Sequence, residues 1–223
     1  MLRKLRTILF IIFILNSISL TQVSQRTGWW NFNDTTNIVT PVNGYGLPLQ
    51  LVGTHQVTEG PASGDFAVKI GVGSHYKMKH QITANGGGTK VNEYSIQVDF
   101  KVASISVWHC FYQTTIANNN DGDCFINTSG NIGVGVTGYS TYNVRPNEWY
   151  RFVVSVKNGT QYKYYLDGNL INNGTSQAVD GRFALDSLLL MFADEDGEDN
   201  EIVVSEIGIW DKALTGVEVQ NLG

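Results

Sequence analysis

The sequence has little of what marks several large classes of protein. Charged residues make up only 16% of the 223-residue chain, and no stretch shows the 3.6-residue apolar period of an amphipathic helix. No basic stripe is present to meet phosphate groups, so nucleic acid is not an expected partner. Linkers rich in proline or serine, low-complexity runs and internal repeats are also missing. These absences favour one domain without long helices.

Motifs of catalysis are equally scarce. The patterns C-x-x-C, H-E-x-x-H and G-x-S-x-G do not occur in the chain. The glycine-rich run from Asn85 to Lys90 lacks the spacing and the following helix of a phosphate-binding loop, so we interpret it as a turn. The sequence therefore predicts that the protein is not an enzyme of these classes.

Only two cysteines are present, Cys110 and Cys124. Export from the cell, for which the N-terminus gives evidence, favours a disulfide. The expected register argues against one. If residues 118–122 form a hairpin turn, Cys124 lies opposite roughly Ile116 and about 20 Å from Cys110. A disulfide needs Cα atoms within about 7 Å, so we expect two buried thiols, with the disulfide as the alternative.

The one long apolar run lies at the N-terminus. A basic start (MLRKLR) precedes an apolar segment (TILFIIFIL) and a polar exit (NSISLTQ). This order is typical of a secretory signal peptide, which we place approximately at residues 1–21. A membrane anchor is the alternative, but the run is short for a span. We therefore expect a secreted or cell-surface protein with no membrane span after cleavage.

Short strands and turns are abundant. EYSIQVDFKV and WYRFVVSV alternate apolar and polar residues, the two-residue period of half-buried strands. KYYLDGNLI predicts a hairpin with Asp167 and Gly168 at its turn. The apolar run from Leu188 to Ala193 is typical of a strand covered on both faces. About a dozen antiparallel strands are expected, with the segments WWNF and GIW close together, which indicates an all-β sandwich or jelly roll.

The end of the chain changes character. Thr215 and Glu218 are spaced as a capping box and predict one short helical turn there. Outside the signal segment, no other helix is expected.

Four segments, in order, carry a resemblance to a known family. They are VNEYSIQVDFKV, DGDCFINTSGNIGVG, NEWYRFVVSVKNGTQYKYYLDGNLI and SEIGIWDKALTGVEVQNLG. Together they resemble laminin-G-like domains of the concanavalin A-like lectin/glucanase superfamily, across residues 28–223. The resemblance implies an antiparallel jelly-roll sandwich of two sheets with a concave face. It does not fix the function, because this fold carries lectins, adhesion modules and glycoside hydrolases.

The hydrolases of this superfamily place their carboxylates on one strand as E-x-D-x-x-E or a near variant. Carboxylates two residues apart share a strand face, and hydrolysis needs two of them across a sugar. No such triplet occurs on a predicted strand, since Glu93 and Asp99 are six residues apart with no acid between them. We therefore expect no catalytic pair.

One loop holds six of the 20 acidic residues of the chain. These are Asp194, Glu195, Asp196, Glu198, Asp199 and Glu201. Laminin-G-like domains often bind Ca²⁺ at the edge of the sandwich, and Asp194, Asp196 and Asp199 match such a site in type and setting. Carboxylate oxygens are ligands that Ca²⁺ prefers, whereas acidic runs are commonly only solvated. A calcium site and a solvated turn both remain open.

Exposed aromatic side chains are candidates for stacking on sugar rings. Trp29, Tyr139 and Tyr142 are the candidate ligand-binding residues, and Trp29 and its neighbour Trp30 should point to opposite faces, with at least one in the core.

We therefore expect a secreted, non-catalytic module that recognises carbohydrate or a surface glycoprotein, with Ca²⁺ as an open cofactor. A structural or adhesion domain that binds protein is the first alternative, and a glycoside hydrolase is the second. Two carboxylates facing each other in a groove would favour the hydrolase.

Overall fold

The computed structural model describes residues 25–42, 44–117, 122–194 and 199–223. The predicted signal peptide, residues 1–21, lies outside these ranges. Within the described ranges, no helix has the length and apolar character needed to cross a membrane.

Fifteen strands and one short helix form the described part of the chain, which confirms the all-β prediction with more strands than the dozen expected. The strands are β1 (Gly28–Trp30), β2 (Gln50–Val52), β3 (His55–Glu59), β4 (Phe66–Ile70), β5 (His75–Lys79), β6 (Glu93–Lys101), β7 (His109–Gln113), β8 (Asp123–Ile126), β9 (Asn131–Val134), β10 (Gly138–Asn143), β11 (Tyr150–Lys157), β12 (Gln161–Leu166), β13 (Asn169–Gly174), β14 (Leu188–Met191) and β15 (Ile202–Trp210). The helix is α1 (Gly216–Gln220).

These strands form two antiparallel sheets. Sheet A has the order β13-β12-β11-β6-β15-β4-β3, with β1 also paired to β15, and sheet B has the order β10-β9-β8-β7-β14-β5-β2. Neighbours in each sheet often come from distant parts of the chain, as where β6 lies between β11 and β15. The predicted two-sheet jelly-roll sandwich is confirmed.

The two sheets pack through their apolar faces. Phe111 of sheet B stacks on Phe152 of sheet A with ring centroids 4.6 Å apart. The hydroxyl groups of Tyr112 and Tyr162, both fully buried, form a hydrogen bond of 2.7 Å across the same interface. Because a buried hydroxyl without a partner is costly, this bond lets two polar rings lie in the core.

The two ends of the domain meet in sheet A. β1 pairs with β15, and Trp29 lies opposite Gly208. Trp30 is fully buried in the core, whereas Trp29 is only partly buried and faces outward. The predicted closeness of the WWNF and GIW segments and the opposite orientation of the two tryptophans are both confirmed.

The hairpin turn and the helix cap that were predicted from the sequence both form in the structure. Asp167 and Gly168 connect β12 to β13 with φ angles of 46° and 75°, as a tight hairpin turn requires. Thr215 caps α1, and the reciprocal bonds of the capping box with Glu218 are present. Both elements are confirmed.

The helix covers part of the outer face of sheet A. Val153, Tyr165 and Trp210 point away from the main core and pack with Leu214 and Val219 in a second buried cluster. α1 therefore covers one region of the outer face of sheet A. It does not cover the region around β1, β4 and the middle of β6.

The cysteines form no disulfide, as expected, but the predicted register was wrong. Cys110 lies opposite Phe125, and Cys124 lies opposite Tyr112 on adjacent strands. Strand spacing and rise then place the two Cα atoms about 6 Å apart, inside the range for a bridge. The thiols stay apart because successive residues point to opposite faces, and Cys124 belongs to the main core whereas Cys110 does not.

Asp180 forms hydrogen bonds to the glycine-rich run of residues 85–90. Its Oδ2 accepts from the backbone N of Thr89 at 2.7 Å, and its Oδ1 accepts from the backbone N of Lys90 at 2.9 Å. Asn92 Nδ2 donates to Oδ1 at 2.8 Å. These hydrogen bonds hold the pKa of the Asp180 carboxyl well below its ordinary value, and the one from Asn92 has the largest effect.

We expect Asp180→Asn to lower Tm most at neutral pH. A carboxyl with a depressed pKa stabilises the folded state above its unfolded pKa of about 3.9, and the contribution is lost as the pH falls below that value. The Tm difference from wild type should therefore shrink between pH 5 and pH 3 in thermal unfolding. Glu59→Gln, an exposed change on β3, is the control. A difference that stays constant from pH 7 to pH 3 would contradict the assignment.

Candidate functional site

A cavity of about 280 Å³ opens on the outer face of sheet A. Side chains from β1, β4, β6, β11 and β15 line it together with residues of two loops. We call it the sheet A cavity, and it is lined by Trp29, Asn31, Asn33, Pro61, Asp65, Phe66, Asp99, Arg151, Ser205 and Glu206. Aromatic, amide and charged groups therefore meet in one depression.

A network of paired charges forms one wall of the cavity. Arg151 Nε and Nη2 donate to the two carboxylate oxygens of Asp99 at 2.8 and 2.5 Å, a bidentate pair. Arg26 Nη2 donates to Glu206 Oε1 at 2.7 Å. Gln97 Nε2 lies 3.0 Å from both Asp99 Oδ1 and Glu206 Oε1. The two carboxylates therefore face each other across one amide nitrogen.

The sheet register produces this network. Asp99 on β6 lies opposite Arg151 on β11 and opposite Glu206 on β15. Side chains directly across neighbouring strands are close enough to interact, so one acidic residue meets a cation on one side and a carboxylate on the other.

Burial and neighbouring charges shift the pKa values in the network. Burial, and then the charge of Asp99, raises the pKa of the Glu206 carboxyl. The hydrogen bond to Asp99 raises the pKa of the Arg151 guanidinium, and burial lowers that of Arg26. With Glu206 ionised, two guanidinium groups balance two carboxylates, so this wall offers both donors and acceptors without a large net charge.

Trp29 and Phe66 supply the apolar part of the cavity. The Arg26 guanidinium lies 4.7 Å from the centroid of the Trp29 ring, and Tyr45 packs edge-on at 5.8 Å. Gly208 opposite Trp29 leaves room for this arginine, because a Cβ there would lie 3.0 Å from Arg26 Nε. Phe66 is 38% exposed. The arrangement fixes the orientation of the indole ring.

The other two candidate ligand-binding residues lie elsewhere. Tyr139 and Tyr142 are on β10 at the edge of sheet B, with ring centroids 6.4 Å from those of Trp108 and Tyr150 respectively. Tyr142 is 44% exposed. The structure does not bring them together with Trp29, so one small ligand cannot contact all three. A ligand role for each stays a prediction.

The acidic loop meets two different elements. Asp194 Oδ1 accepts from Gln113 Nε2 on β7 at 3.1 Å, and Asp199 Oδ2 accepts from the backbone N of Gly73 at 3.3 Å. Asp196 lies outside the described residues. Among the described residues no group of three or more metal-ligating side chains is found. The calcium site stays a prediction that rests on donor type, because the two candidate ligands that the structure describes, Asp194 and Asp199, bond to β7 and to the β4–β5 turn respectively.

Asp99, Arg151 and Glu206 were not among the site residues predicted from the sequence. Each is a charged residue at an outward position of a strand whose other face is strongly apolar. That signal is present in the sequence, but it does not reveal that the three strands are neighbours.

Comparison of this fold with solved structures gives three informative neighbours. Domain 4 of an extracellular arabinanase from Geobacillus stearothermophilus, solved with arabinotriose, has a TM-score of 0.65 and 16% identity over 90% of this chain and 99% of that domain. A botulinum neurotoxin type C structure concerned with ganglioside interaction has a TM-score of 0.60 and 14% identity over 88% of this chain. A Trypanosoma rangeli sialidase has a TM-score of 0.59 and 14% identity over 90% of this chain.

These identities show a shared fold and no more. The chain spans 50% of the neurotoxin chain and 33% of the sialidase chain. Among curated proteins, none matches the sequence. A laminin G family model, described as the concanavalin A-like lectin/glucanases superfamily, matches residues 77–220, well over half of the sequence. The chain therefore belongs to the laminin-G-like domains of the concanavalin A-like lectin/glucanases superfamily, as its sequence motifs indicated.

Proposed function

We propose that this protein is a secreted or cell-surface, non-catalytic module that binds carbohydrate, free or on a glycoprotein, in the sheet A cavity. The observation that carries the proposal is the combination of Trp29 and the paired-charge wall in one depression. Phe66 and two asparagines, Asn31 and Asn33, also belong to the lining, together with Pro61, Asp65 and Ser205.

The chemistry of the cavity fits a sugar. A sugar ring has apolar C–H faces that pack on aromatic rings, and a rim of hydroxyl groups that both donate and accept hydrogen bonds. The carboxylates of Asp99 and Glu206 accept, and the guanidinium of Arg151 donates. The guanidinium groups of Arg26 and Arg151 balance these two carboxylates, and Asp65 adds one more carboxylate to the lining, so a polyhydroxyl ligand suits the cavity better than an anion.

The structural neighbours support this class of ligand. One was solved with arabinotriose, and the work on another concerns ganglioside interaction. They lend weight to carbohydrate as a class without indicating which sugar.

A hydrolytic role is the alternative that the facing carboxylates raise. The oxygens of Asp99 and Glu206 that share Gln97 Nε2 are each 3.0 Å from it, so they are at most twice that distance apart. This is compatible with the spacing of carboxylates in retaining hydrolases, about 5 to 5.5 Å. Both oxygens of Asp99, however, already accept from Arg151. A nucleophile bound in this way is poorly placed to attack, so we propose binding without catalysis.

Calcium remains part of the proposal as an optional cofactor of the acidic loop. Asp194, Asp196 and Asp199 supply oxygen ligands of the type that Ca²⁺ prefers. The sheet A cavity does not include them. Any calcium there would therefore act on the stability of the loop and not as a direct ligand of sugar in this cavity.

The experiment is a glycan array that carries arabinan oligosaccharides, sialylated ganglioside glycans and linear plant, fungal and animal glycans, probed in Ca²⁺ and in EDTA. We expect binding to a defined set of glycans, and Trp29→Ala should weaken it by about tenfold or more through loss of ring stacking. Leu170→Ala, a change at a 52% exposed position on β13, is the matched control. Mass spectrometry of bound glycans should recover them intact.

Each other outcome has its own meaning. If the wild-type protein cleaves glycans and the Glu206→Gln variant leaves them intact, the protein is a hydrolase. Loss of binding in Tyr142→Ala but not in Trp29→Ala would place the site on sheet B. A glycoprotein bound equally well after enzymatic removal of its glycans would favour the adhesion alternative. Equal thermal stability in Ca²⁺ and in Na⁺ at matched ionic strength would reject the calcium site.

A further inference from the structure

We infer that the sheet A cavity is one part of a longer groove across sheet A, and that this groove takes an oligosaccharide chain of several units. The inference rests on the proposed function, because it specifies the size of the carbohydrate that the same site would bind.

A second cavity of about 280 Å³ adjoins the first. Pro61, Asp99, Arg151 and Ser205 line both cavities. The second cavity extends from this shared border to Trp149. Shared lining residues mean that a bound chain can pass from one cavity to the other without leaving the surface of the sheet.

An aromatic side chain lies in each cavity. Trp29 on β1 is opposite Gly208, which is opposite Gln97 of β6. Trp149 immediately precedes β11, and its ring lies 5.0 Å from Lys101 Nζ at the end of β6. Three strand spacings across the sheet and four residues along β6 separate the two tryptophans by about 20 Å. A single sugar ring cannot contact both.

The shared border holds polar groups suited to the middle of such a chain. The Asp99–Arg151 pair lies there with side chains that are 13% and 22% exposed. Ser205 is 6% exposed, and its hydroxyl has no hydrogen-bond partner among the described residues. The Trp29 indole nitrogen also has none there. Both of these atoms are buried, so the hydrogen bonds to a ligand at the border come from the Asp99–Arg151 pair.

This sequence of surfaces matches an extended chain of sugars. The groove has an aromatic ring at each end and hydrogen-bonding groups between the two rings. A linear oligosaccharide offers C–H faces that pack on such rings and hydroxyl groups that bond to such polar groups. The charges at the border are paired, so an ionic ligand gains little from them.

The test is the dependence of affinity on chain length. Linear series of one to six units of arabinan, β-1,4-glucan, xylan, chitin and N-acetyllactosamine are measured by calorimetry or on the array. For the series that binds, we expect affinity to rise about tenfold between two and four units. Trp149→Ala should remove this rise, so that four units bind no more tightly than two. Trp149→Phe should retain most of the rise.

The outcomes separate this inference from the proposed function. If Trp29→Ala weakens binding but affinity does not change with length, the groove is overturned and the carbohydrate site stands. A rise with length that Trp149→Ala leaves intact also overturns the groove. If no oligosaccharide series and no glycan on the array binds, both the proposed function and the groove are rejected. Thermal unfolding of Trp149→Ala checks that a lost rise is not caused by misfolding.

Discussion

Phe152→Ala is expected to lower the free energy of unfolding by about 3 to 5 kcal/mol. Phe152 is fully buried, and its ring stacks on Phe111 at 4.6 Å and on Tyr164 at 6.0 Å. Truncation removes one of the aromatic contacts between sheet A and sheet B and leaves a cavity that two packed sheets cannot close. In thermal unfolding, Tm should fall by about 10 °C.

Two variants control this prediction. Phe152→Leu keeps most of the apolar volume and should cost less than about half as much. Tyr142→Ala, which truncates an aromatic residue that is 44% exposed, should cost about 1 kcal/mol or less. A loss of less than 1 kcal/mol in Phe152→Ala would mean that the two sheets do not depend on this stack.

The second large effect concerns the Asp99–Arg151 pair. Arg151→Met should lower the free energy of unfolding by about 3 to 5 kcal/mol, because it leaves a largely buried carboxylate without its partner. Asp99→Asn keeps one acceptor oxygen and should cost about 2 kcal/mol. The arginine variant should be the worse of the two, since Arg151 also donates to the backbone carbonyl of Leu222.

A double-mutant cycle separates the pair from its surroundings. The variant that carries both Asp99→Asn and Arg151→Met should lose about 1.5 to 3 kcal/mol less than the sum of the single variants. Denaturant unfolding gives the three values. Additive losses would show that the two side chains do not stabilise the fold through each other, and the charged wall of the cavity would then need another explanation.

The cysteines show where prediction from the sequence stopped. The chemistry of the pair was predicted, two buried thiols without a bridge, but the register was not. The expected hairpin placed Cys124 opposite Ile116, whereas it lies opposite Tyr112. Nothing local fixes how long the connection between β7 and β8 is, and a change in its length shifts every cross-strand partner.

Prediction from the sequence reached the same limit at the candidate site. Trp29 was selected from the sequence because neighbouring residues on a strand point to opposite faces, and that rule holds in the structure. Asp99, Arg151 and Glu206 were not selected. They lie on three strands far apart in the chain, and only the order β11-β6-β15 makes them neighbours.

A few adjacent residues are enough to specify the local elements of this fold. The two-residue period gave the long strands, Asp167 and Gly168 gave the hairpin turn, and Thr215 with Glu218 gave the helix cap. Each rests on backbone geometry or a hydrogen bond between residues close in the chain. The strand order, the register and the cavity could be read only from the folded chain. These depend on long-range pairing, for which many arrangements share one local pattern, and the packing of two whole sheets selects among them.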